Sequence, residues 1–371
     1  MAMTDVVVIG GGLAGLTNAI LLSRAGLSVR LFEKKNYPFH RVCGEYVSNE
    51  VVPFLKRNEL YPDHILPTSI RKLLLTSTNG NSAQLELDMG GFGISRYAFD
   101  YFLYQQAEKS GVEFFLNTSV ESVCFSDDSF EIKVGGKEYR SKLVIGAFGK
   151  RSNLDKKLER KGIDQRSPYL AVKYHIKTDF PSDTIALHNF KDGYCGMSQV
   201  ENDTYNLCYL SHRSNLKKHG NITEMEKEVL CKNPFLKEIF SNSDFLFDKP
   251  HVINEISFIK KKAVENHVLM SGDATGMIAP LCGNGMAMAI HSAKILSETI
   301  LANKNNGEFD RENIEQAYAK LWQSQFNFRL WAGRNIQHLF GAEFASNLAV
   351  GLAKAKPIAN TLVRMTHGKE F

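Results

Sequence analysis

The stretch that decides the fold class is DVVVIGGGLAG, residues 5–15. Its apolar half, Asp5–Ile9, predicts a buried strand, and Leu13–Ala25 has the apolar spacing of a helix. Leu27–Phe32 predicts a second strand that runs into Glu33. The opening of the chain is therefore a predicted strand–helix–strand unit of about 30 residues.

The glycines of this stretch match the pattern G-x-G-x-x-G, which binds dinucleotides when a strand precedes it and a helix follows. Gly10 permits the tight turn, Gly12 lets the backbone approach a pyrophosphate, and Gly15 lets helix and strand pack closely. The helix N-terminus at Leu13 and Ala14 presents unpaired N–H groups and a positive dipole to the anion. We expect a pyrophosphate to bind here.

Glu33 lies near the expected distance from the glycines, about 20 residues, for a carboxylate that accepts hydrogen bonds from ribose hydroxyls. A carboxylate there also repels a 2′-phosphate, although Lys34 and Lys35 weaken that exclusion. The ligand should carry an ADP half with a free ribose. NAD and FAD both satisfy this requirement.

A second segment favours FAD. Val268–Ser271 predicts a strand that runs into Gly272-Asp273, at the strand end where a doubly wound sheet places ligand contacts. The loop that follows opens another helix, whose N-terminus suits a partly anionic ring; its candidate residues are Pro280, Gly283, Asn284 and Gly285. FAD is long enough to reach both sites.

The remaining patterns set the architecture. Leu73–Thr76 and Ala83–Leu87 flank Asn79-Gly80 and predict a hairpin, and Tyr97–Lys109 predicts an amphipathic helix. Alternating residues between about 168 and 259 predict antiparallel strands with one open face.

The predicted fold class is α/β, with a Rossmann-like FAD-binding domain, an inserted antiparallel β-rich substrate domain and a helical C-terminal tail. The expected division assigns 1–70, 90–166 and 260–303 to a discontinuous FAD-binding domain, 71–89 and 167–259 to the substrate domain, and 304–371 to the helical C-terminal region.

Composition excludes several classes. Charged residues are 23% and hydrophobic residues 43% of the 371, as in ordinary soluble proteins, and the net charge of +5 is too small to argue for nucleic acid. The six cysteines contain no C-x-x-C pair, so no metal site is predicted, and scattered thiols fit a cytoplasmic location. No apolar stretch is long enough to span a bilayer.

These motifs resemble the flavoprotein superfamily of para-hydroxybenzoate hydroxylase-type monooxygenases, geranylgeranyl reductases and flavin-dependent halogenases. The segment Arg41-Val42-Cys43-Gly44-Glu45 looks most like the geranylgeranyl reductase branch, in which such a segment lies near the flavin. The resemblance implies that Arg96 approaches FAD, that Asp273 holds the ribitol, and that the loop up to Gly285 faces the flavin ring.

The sequence departs from those families at three places. Phe148, in Gly146-Ala147-Phe148-Gly149, replaces an aspartate that the hydroxylases use for flavin and NADPH contacts. Residues 193–197 lack the Trp and Pro of the reductase substrate segment. Trp322 and Trp331 do not form the halogenase segment, so halogenation is the least favoured branch.

The first hypothesis is a FAD-dependent monooxygenase that hydroxylates an apolar or aromatic small molecule through a flavin C4a-hydroperoxide. The alternative is a geranylgeranyl reductase-like flavoprotein that reduces carbon–carbon double bonds of an isoprenoid or polyene. A second alternative is a protein that holds FAD for binding or electron transfer. No side chain identifies itself as the catalytic acid or base.

Partners follow from these hypotheses. NADH, NADPH or an external reductase would supply electrons, and nucleic acid is not expected. The tail, Phe326–Phe371, is apolar and mildly basic, which favours peripheral membrane contact through the C-terminal helices, with packing onto the protein as the alternative.

Overall fold

The computed structural model describes residues 3–160, 167–254, 256, 258–259, 261–337, 340–355, 361, 363–365 and 367–371. The strands are β1 (Thr4–Ile9), β2 (Val29–Phe32), β3 (Tyr46–Ser48), β4 (Thr68–Thr76), β5 (Ser82–Gly93), β6 (Glu113–Phe115), β7 (Ser122–Ser126), β8 (Ser129–Val134), β9 (Lys137–Gly146), β10 (Tyr169–Lys177), β11 (Thr184–Phe190), β12 (Gly193–Gln199), β13 (Tyr205–His212), β14 (Asp244–Phe245), β15 (His251–Ile253), β16 (Val264–Glu265), β17 (Val268–Met270), β18 (Lys304–Asn305) and β19 (Glu308–Phe309). The helices are α1 (Leu13–Arg24), α2 (Val52–Arg57), α3 (Arg96–Lys109), α4 (Asn153–Lys157), α5 (Arg213–His219), α6 (Ile222–Glu228), α7 (Pro234–Asn242), α8 (Gly285–Ala302), α9 (Arg311–Gln337) and α10 (Glu343–Lys354).

The first sheet has the order β16-β17-β9-β1-β2-β6, and β8 joins it through β9. β1 lies between β2 and β9 and runs parallel to both. Val6, Val7 and Val8 are fully buried because both faces of the sheet are covered. Helices α1, α3 and α8 cover one face, and β7, β8 and α4 pack on the other. The predicted strand–helix–strand opening and the α/β fold class are confirmed.

The second sheet has the order β14-β10-β13-β12-β11-β4-β5-β3, with β15 paired to β10. Its strands from residues 168 to 259 pair antiparallel among themselves, as predicted, whereas β11 pairs parallel with β4. The predicted hairpin around Asn79-Gly80 joins β4 to β5. The sheet therefore draws strands from two separate parts of the chain.

The hairpin extends further than the sequence analysis predicted. β4 begins at Thr68 and β5 continues to Gly93, so the predicted divisions after residues 70 and 89 fall inside strands. The predicted strand ended at Leu87, whereas β5 continues through glycines that other groups approach closely. A Cβ on Gly91 would lie 2.4 Å from the Tyr46 ring, and one on Gly93 would lie 1.8 Å from the Gln199 carbonyl oxygen. The division into domains otherwise stays a proposal.

The predicted open face of the antiparallel strands is wrong for β10. All residues from Leu170 to Ile176 are buried. The apolar face packs with residues of α6 and α7, among them Met225 and Leu236. The opposite face carries Lys173 and His175, which are buried against Glu45. Both faces are covered because the second sheet lies between these helices and the segment that contains Glu45.

The chain beyond Phe309 is helical over most of the described residues, as predicted. α9 packs against α8, and α10 packs its residues Ala349, Val350 and Ala353 against β4 and β5. The predicted tail also includes residues 338–339, 356–360, 362 and 366, which lie outside the described residues. α10 thus covers one end of the second sheet.

Candidate cofactor and substrate site

The glycine turn between β1 and α1 has no room for side chains. Gly10 has φ +101°, and a Cβ there would lie 2.5 Å from the carbonyl oxygen of Ala147. A Cβ on Gly15 would lie 1.9 Å from the Gly10 carbonyl oxygen. Gly12 is the N-cap of α1 and no side chain caps this end, so the first amides of the helix are available to an anion.

Glu33 follows β2 and lies beneath the glycine turn. Its side chain is buried, and Oε2 accepts a hydrogen bond from the Gly11 N–H at 2.8 Å. Arg41 approaches the same oxygen at 3.4 Å. Lys34, by contrast, is exposed. The carboxylate that the sequence assigned to the ribose is therefore held next to the glycine turn.

Arg96 brings a positive charge to the same place. Its guanidinium lies 3.5 Å from the position that a Cβ on Gly12 would take. The buried Asp100 carboxylate pairs with Arg96 at 2.6 Å and with Arg41 at 2.8 Å. Burial lowers the pKa of Arg96, but Asp100 and Cys43 outweigh it, so the net shift is upward. Arg96 keeps its charge beside the N-terminus of α1.

The segment that contains Asp273 meets the glycine turn in space. Gly272 has φ +66°, and a Cβ there would lie 2.9 Å from the Ala14 Cβ. The Asn18 amide in α1 donates to the Ser271 hydroxyl at 3.1 Å, and the Gly272 N–H donates to the Ser292 hydroxyl in α8 at 2.8 Å. Helices α1 and α8 are thereby joined through one short segment.

Asp273 lies among cations. Burial raises the pKa of its carboxyl group, and three cations oppose this shift. Those cations are Lys150, Arg96 and Lys261. A cluster of positive charge next to an uncapped helix end suits a bound pyrophosphate.

The loop at 280–285 closes the opposite end of this region. Pro280–Cys282 is a 3-10 turn and Gly283 adopts φ +64°, where a Cβ would lie 3.0 Å from the Tyr46 ring. Asn284 is buried and occupies the N-cap position of α8 without a side-chain capping hydrogen bond, whereas Pro280 is exposed. A narrow crevice, about 240 Å³ with its open mouth included, touches both Asp273 and Gly285. The loop therefore adjoins both Asp273 and the 41–46 segment.

An apolar cavity of about 840 Å³, including its open mouth, lies beside this loop. Its walls come from β4, β5 and β11, from the 280–285 loop, from α9 and α10, and from the C-terminal tail: Tyr46, Leu73, Leu75, Leu85, Leu87, Ile185, Leu187, Leu281, Cys282, Gly283, Ile336, Phe340, Ala349, Ala353, Val363 and His367. Burial raises the pKa of the Cys282 thiol to about 12, so it stays protonated. The cavity suits an uncharged, hydrocarbon-rich molecule.

Comparison with known proteins agrees with this geometry. Residues 3–320 match the sequence model of the FAD binding domain family. The chain belongs to this family. As a member of the FAD binding domain family, it is an FAD-dependent oxidoreductase.

Relatives of this family member include two curated proteins. The chain is 26% identical to the digeranylgeranylglycerophospholipid reductase of Methanosarcina acetivorans over 86% of its own length and 80% of the relative. It is 25% identical to conditioned medium factor receptor 1 of Dictyostelium discoideum, over 87% of its own length and 68% of that protein. Among solved structures, a geranylgeranyl bacteriochlorophyll reductase-like protein of Thermoplasma acidophilum has a TM-score of 0.78 at 18% identity, covering 100% of this chain and 97% of that one. That structure supports the shared fold.

The residues present fit FAD. The uncapped end of α1 presents backbone N–H groups close to the Arg96 guanidinium, an arrangement that suits a phosphate group. Glu33 is placed for a ribose beside them, and Asp273 lines a crevice that extends to Gly285. The structure brings these predicted residues together, but Lys34 and Pro280 are exposed. A Cβ on Gly44 would meet no protein atom within 4 Å.

A buried ion cluster that the sequence did not predict lies next to this site. Glu45 is fully buried at φ +53°, and its carboxylate binds the Lys173 ammonium and the His175 Nε2, the latter at 2.8 Å. It also accepts the Arg96 backbone N–H at 2.7 Å. Burial raises the pKa of Glu45, but Lys173 and His175 outweigh it and lower the pKa to about 2. A lysine inside an otherwise apolar strand was the signal that could have revealed this cluster.

Other polar residues of the inserted region are structural. His188 is buried and its ring hydrogen-bonds the Thr76 hydroxyl at 3.0 Å, while His212 caps α5. Tyr209 donates to Glu226 at 2.7 Å inside the second core. None of these residues lines the apolar cavity described above.

The length and polarity of the helices decide whether any of them could span a membrane. Within the described residues, every helix is too short or too polar to cross a bilayer.

Proposed function

We propose that this FAD-dependent oxidoreductase reduces a carbon–carbon double bond of an isoprenoid or polyene held in the apolar cavity. The observation that carries the proposal is the shared wall: Leu281, Cys282 and Gly283 belong both to the loop assigned to the flavin ring and to the cavity. The other walls are largely aliphatic, so they favour a hydrocarbon substrate. The reductase named among the relatives supports the same reaction class.

The residues have the following proposed roles. The N-terminus of α1 and Arg96 hold the pyrophosphate, Glu33 holds the adenosine ribose, and Asp273 holds the ribitol. The loop from Gly283 to Gly285 faces the flavin ring. FAD, when bound, supplies hydride transfer. The aliphatic walls orient the substrate and exclude water from the reacting carbons.

Reduction of a double bond also needs a proton. Burial raises the pKa of the Tyr46 hydroxyl and of the Cys282 thiol, so both stay protonated at neutral pH. Both line the cavity next to Gly283. We propose these two groups as donors to the carbon that does not receive hydride.

Two measurements test the proposal. The purified protein should show the two visible bands of a flavin, and acid should release the chromophore. The dithionite-reduced protein should then be reoxidised by a geranylgeranyl lipid in the absence of oxygen, and the product should be the saturated lipid.

A matched pair of variants tests the role of the cavity. Leu187→Asp, in the cavity wall, should abolish this reoxidation and keep the flavin spectrum, whereas Leu246→Asp, on an exposed segment, should change neither. Reoxidation that requires oxygen would contradict the proposal.

Oxygen transfer to an apolar or aromatic substrate is the second candidate. The aliphatic lining favours it because a dry cavity also protects reactive oxygen-transfer chemistry from water. This candidate expects turnover to stop without oxygen and the product to gain one oxygen atom.

The electron donor is a separate proposal. NADH and NADPH are candidate donors. Phe148 stands in place of the aspartate that the hydroxylases use for flavin and NADPH contacts, and this replacement argues against direct reduction by NADPH. An external reductase is the donor we propose if neither nucleotide reduces the flavin. Stopped-flow mixing with each nucleotide tests this. Absence of flavin bleaching with both, together with failed turnover, would support a binding or electron-transfer protein instead.

A further inference from the structure

The two C-terminal helices expose an unusual amount of apolar side chain. Among the described residues, five large exposed hydrophobic side chains lie on α9 and α10, and we call them the apolar C-terminal surface: Leu321, Phe328, Trp331, Phe344 and Leu348. Phe344 is 84% exposed, and the rings of Phe328 and Trp331 stack with centroids 5.8 Å apart. Clusters of this kind mark interaction sites.

The same region carries an excess of positive charge. From Arg311, where α9 begins, to the end, the sequence contains eight lysines and arginines and four acidic residues, and Arg311, Arg329 and Arg364 pair with carboxylates elsewhere in the chain. Lys320, Lys354 and Lys369 are exposed. A surface that combines exposed aromatic residues with exposed cations complements an anionic lipid headgroup layer.

The helices that carry this surface also line the apolar cavity. α9 contributes Ile336 and α10 contributes Ala349 and Ala353 to the cavity walls. Leu348, next to Ala349 in the same helix, is exposed. The same two helices therefore contribute residues both to the cavity walls and to the apolar C-terminal surface.

We propose that the apolar C-terminal surface docks on an anionic lipid bilayer, with α9 and α10 at the interface. Phe328, Trp331 and Phe344 enter the boundary between headgroups and acyl chains, and the lysines contact lipid phosphates. The docked position puts the cavity walls next to the lipid, from which an apolar substrate enters. Docking itself is independent of the proposed reaction.

Vesicle binding by the full chain with FAD tests docking without substrate. We expect the protein to sediment with vesicles of phosphatidylglycerol and phosphatidylcholine in equal parts, and to bind pure phosphatidylcholine at least roughly tenfold more weakly. Raising the salt to about 1 M should weaken binding further, since the screening length falls to about 3 Å.

Intrinsic fluorescence reports the contact directly. The chain has two tryptophans, and Trp322 is 4% exposed whereas Trp331 is 52% exposed. Anionic vesicles should shift the emission of the protein to shorter wavelength. Trp331→Phe should remove this shift, because Trp322 is already in an apolar environment.

A matched pair of variants separates this surface from general hydrophobicity. Leu348 is 46% exposed on α10, and Leu246 is 48% exposed next to β14 at the other end of the second sheet. Phe328→Ser combined with Leu348→Ser should weaken vesicle binding roughly tenfold or more, whereas Leu246→Ser should leave it unchanged. Flavin content and circular dichroism should stay the same in both.

Three results would overturn the proposal: unchanged binding by the double variant, equal binding to both vesicle types, or a dimer in light scattering that the double variant breaks. The last result would assign the surface to a second copy of the chain. Because vesicle binding is measured without substrate, a failure of the reductase proposal would leave this test intact.

Discussion

Arg96 contacts both the glycine turn, which depends on close packing of backbone atoms, and the buried ion cluster, which depends on charge pairing. Its guanidinium lies above Gly12 in the glycine turn, and its backbone N–H donates to Glu45 in the buried ion cluster. The glycine turn depends on backbone atoms that approach too closely for a Cβ. The ion cluster depends on Glu45 and Lys173, which are 128 positions apart in the chain. The glycine pattern is a local signal in the sequence, even though Gly10 packs against Ala147, whereas the charge pairing leaves no local signal and joins distant segments.

The largest effect should come from breaking the ion cluster. Lys173→Met leaves the Glu45 carboxylate buried without its ammonium partner, and we expect the free energy of unfolding to fall by about 3–5 kcal/mol at neutral pH. Urea titration followed by circular dichroism measures this. Adding Glu45→Gln should restore part of the stability. A double variant no more stable than the single one would mean that the charge of Glu45 does not matter.

Acid should weaken the same cluster. The pKa of Glu45 is lowered to about 2 in the folded protein, against an ordinary value of 4.5, so its contribution is present above about pH 5 and is lost as pH falls toward 2. The difference corresponds to about 3 kcal/mol.

The nearby histidines also destabilise the folded state in acid. The pKa of His40 is lowered to about 4 and that of His251 is also lowered, so the unfolded chain binds protons before the folded one below about pH 6.5. Measuring the free energy of unfolding against pH for the wild type and for Glu45→Gln isolates the contribution of the Glu45 carboxylate. The two curves should approach each other below pH 4; a constant separation would contradict the assignment.

The glycine turn should respond to a single methyl group. Gly15→Ala places a Cβ 1.9 Å from the Gly10 carbonyl oxygen, and we expect a loss of about 3 kcal/mol in unfolding free energy and at least roughly tenfold weaker FAD binding. Equilibrium dialysis and thermal unfolding measure the two effects. Gly351→Ala, on the exposed side of α10, is the matched control, since its Cβ meets nothing within 4 Å and should lower neither value.

The smallest expected effect lies where the two helices are joined. Ser292→Ala removes the hydroxyl that accepts the Gly272 N–H and contacts Ser271 at 2.8 Å. We expect a loss of about 1 kcal/mol in stability and a few-fold weaker FAD binding. Thermal unfolding with and without added FAD separates the two contributions. An unchanged FAD affinity would separate this junction from the cofactor site.

The sequence predicted those parts of the fold whose signals are local. The glycines at 10–15, the carboxylate of Glu33 and the hairpin around Asn79-Gly80 each follow from a few neighbouring residues. The last part of β5 was not predicted, because its glycines are explained by Tyr46 and Gln199, which contact them only in the folded chain.

The cofactor part of the candidate site was predicted because its motifs are local, whereas the ion cluster and the cavity depend on contacts between distant segments. Separate motifs marked Gly12 and Asp273, but no signal in either showed how Lys173 would meet Glu45. No pattern in the sequence predicted the apolar cavity either. Its aliphatic lining residues from β4, β5 and β11 become a binding surface only when α10 lies across them.

The sequence by itself determined that the chain opens with a dinucleotide-binding turn, because the spacing of its glycines and the following carboxylate is a local backbone requirement. Only the tertiary structure decided where the buried charges lie and which apolar residues enclose a cavity. Burial and charge pairing depend on distances between segments far apart in the chain, and those distances exist only after the two sheets and the C-terminal helices have packed together.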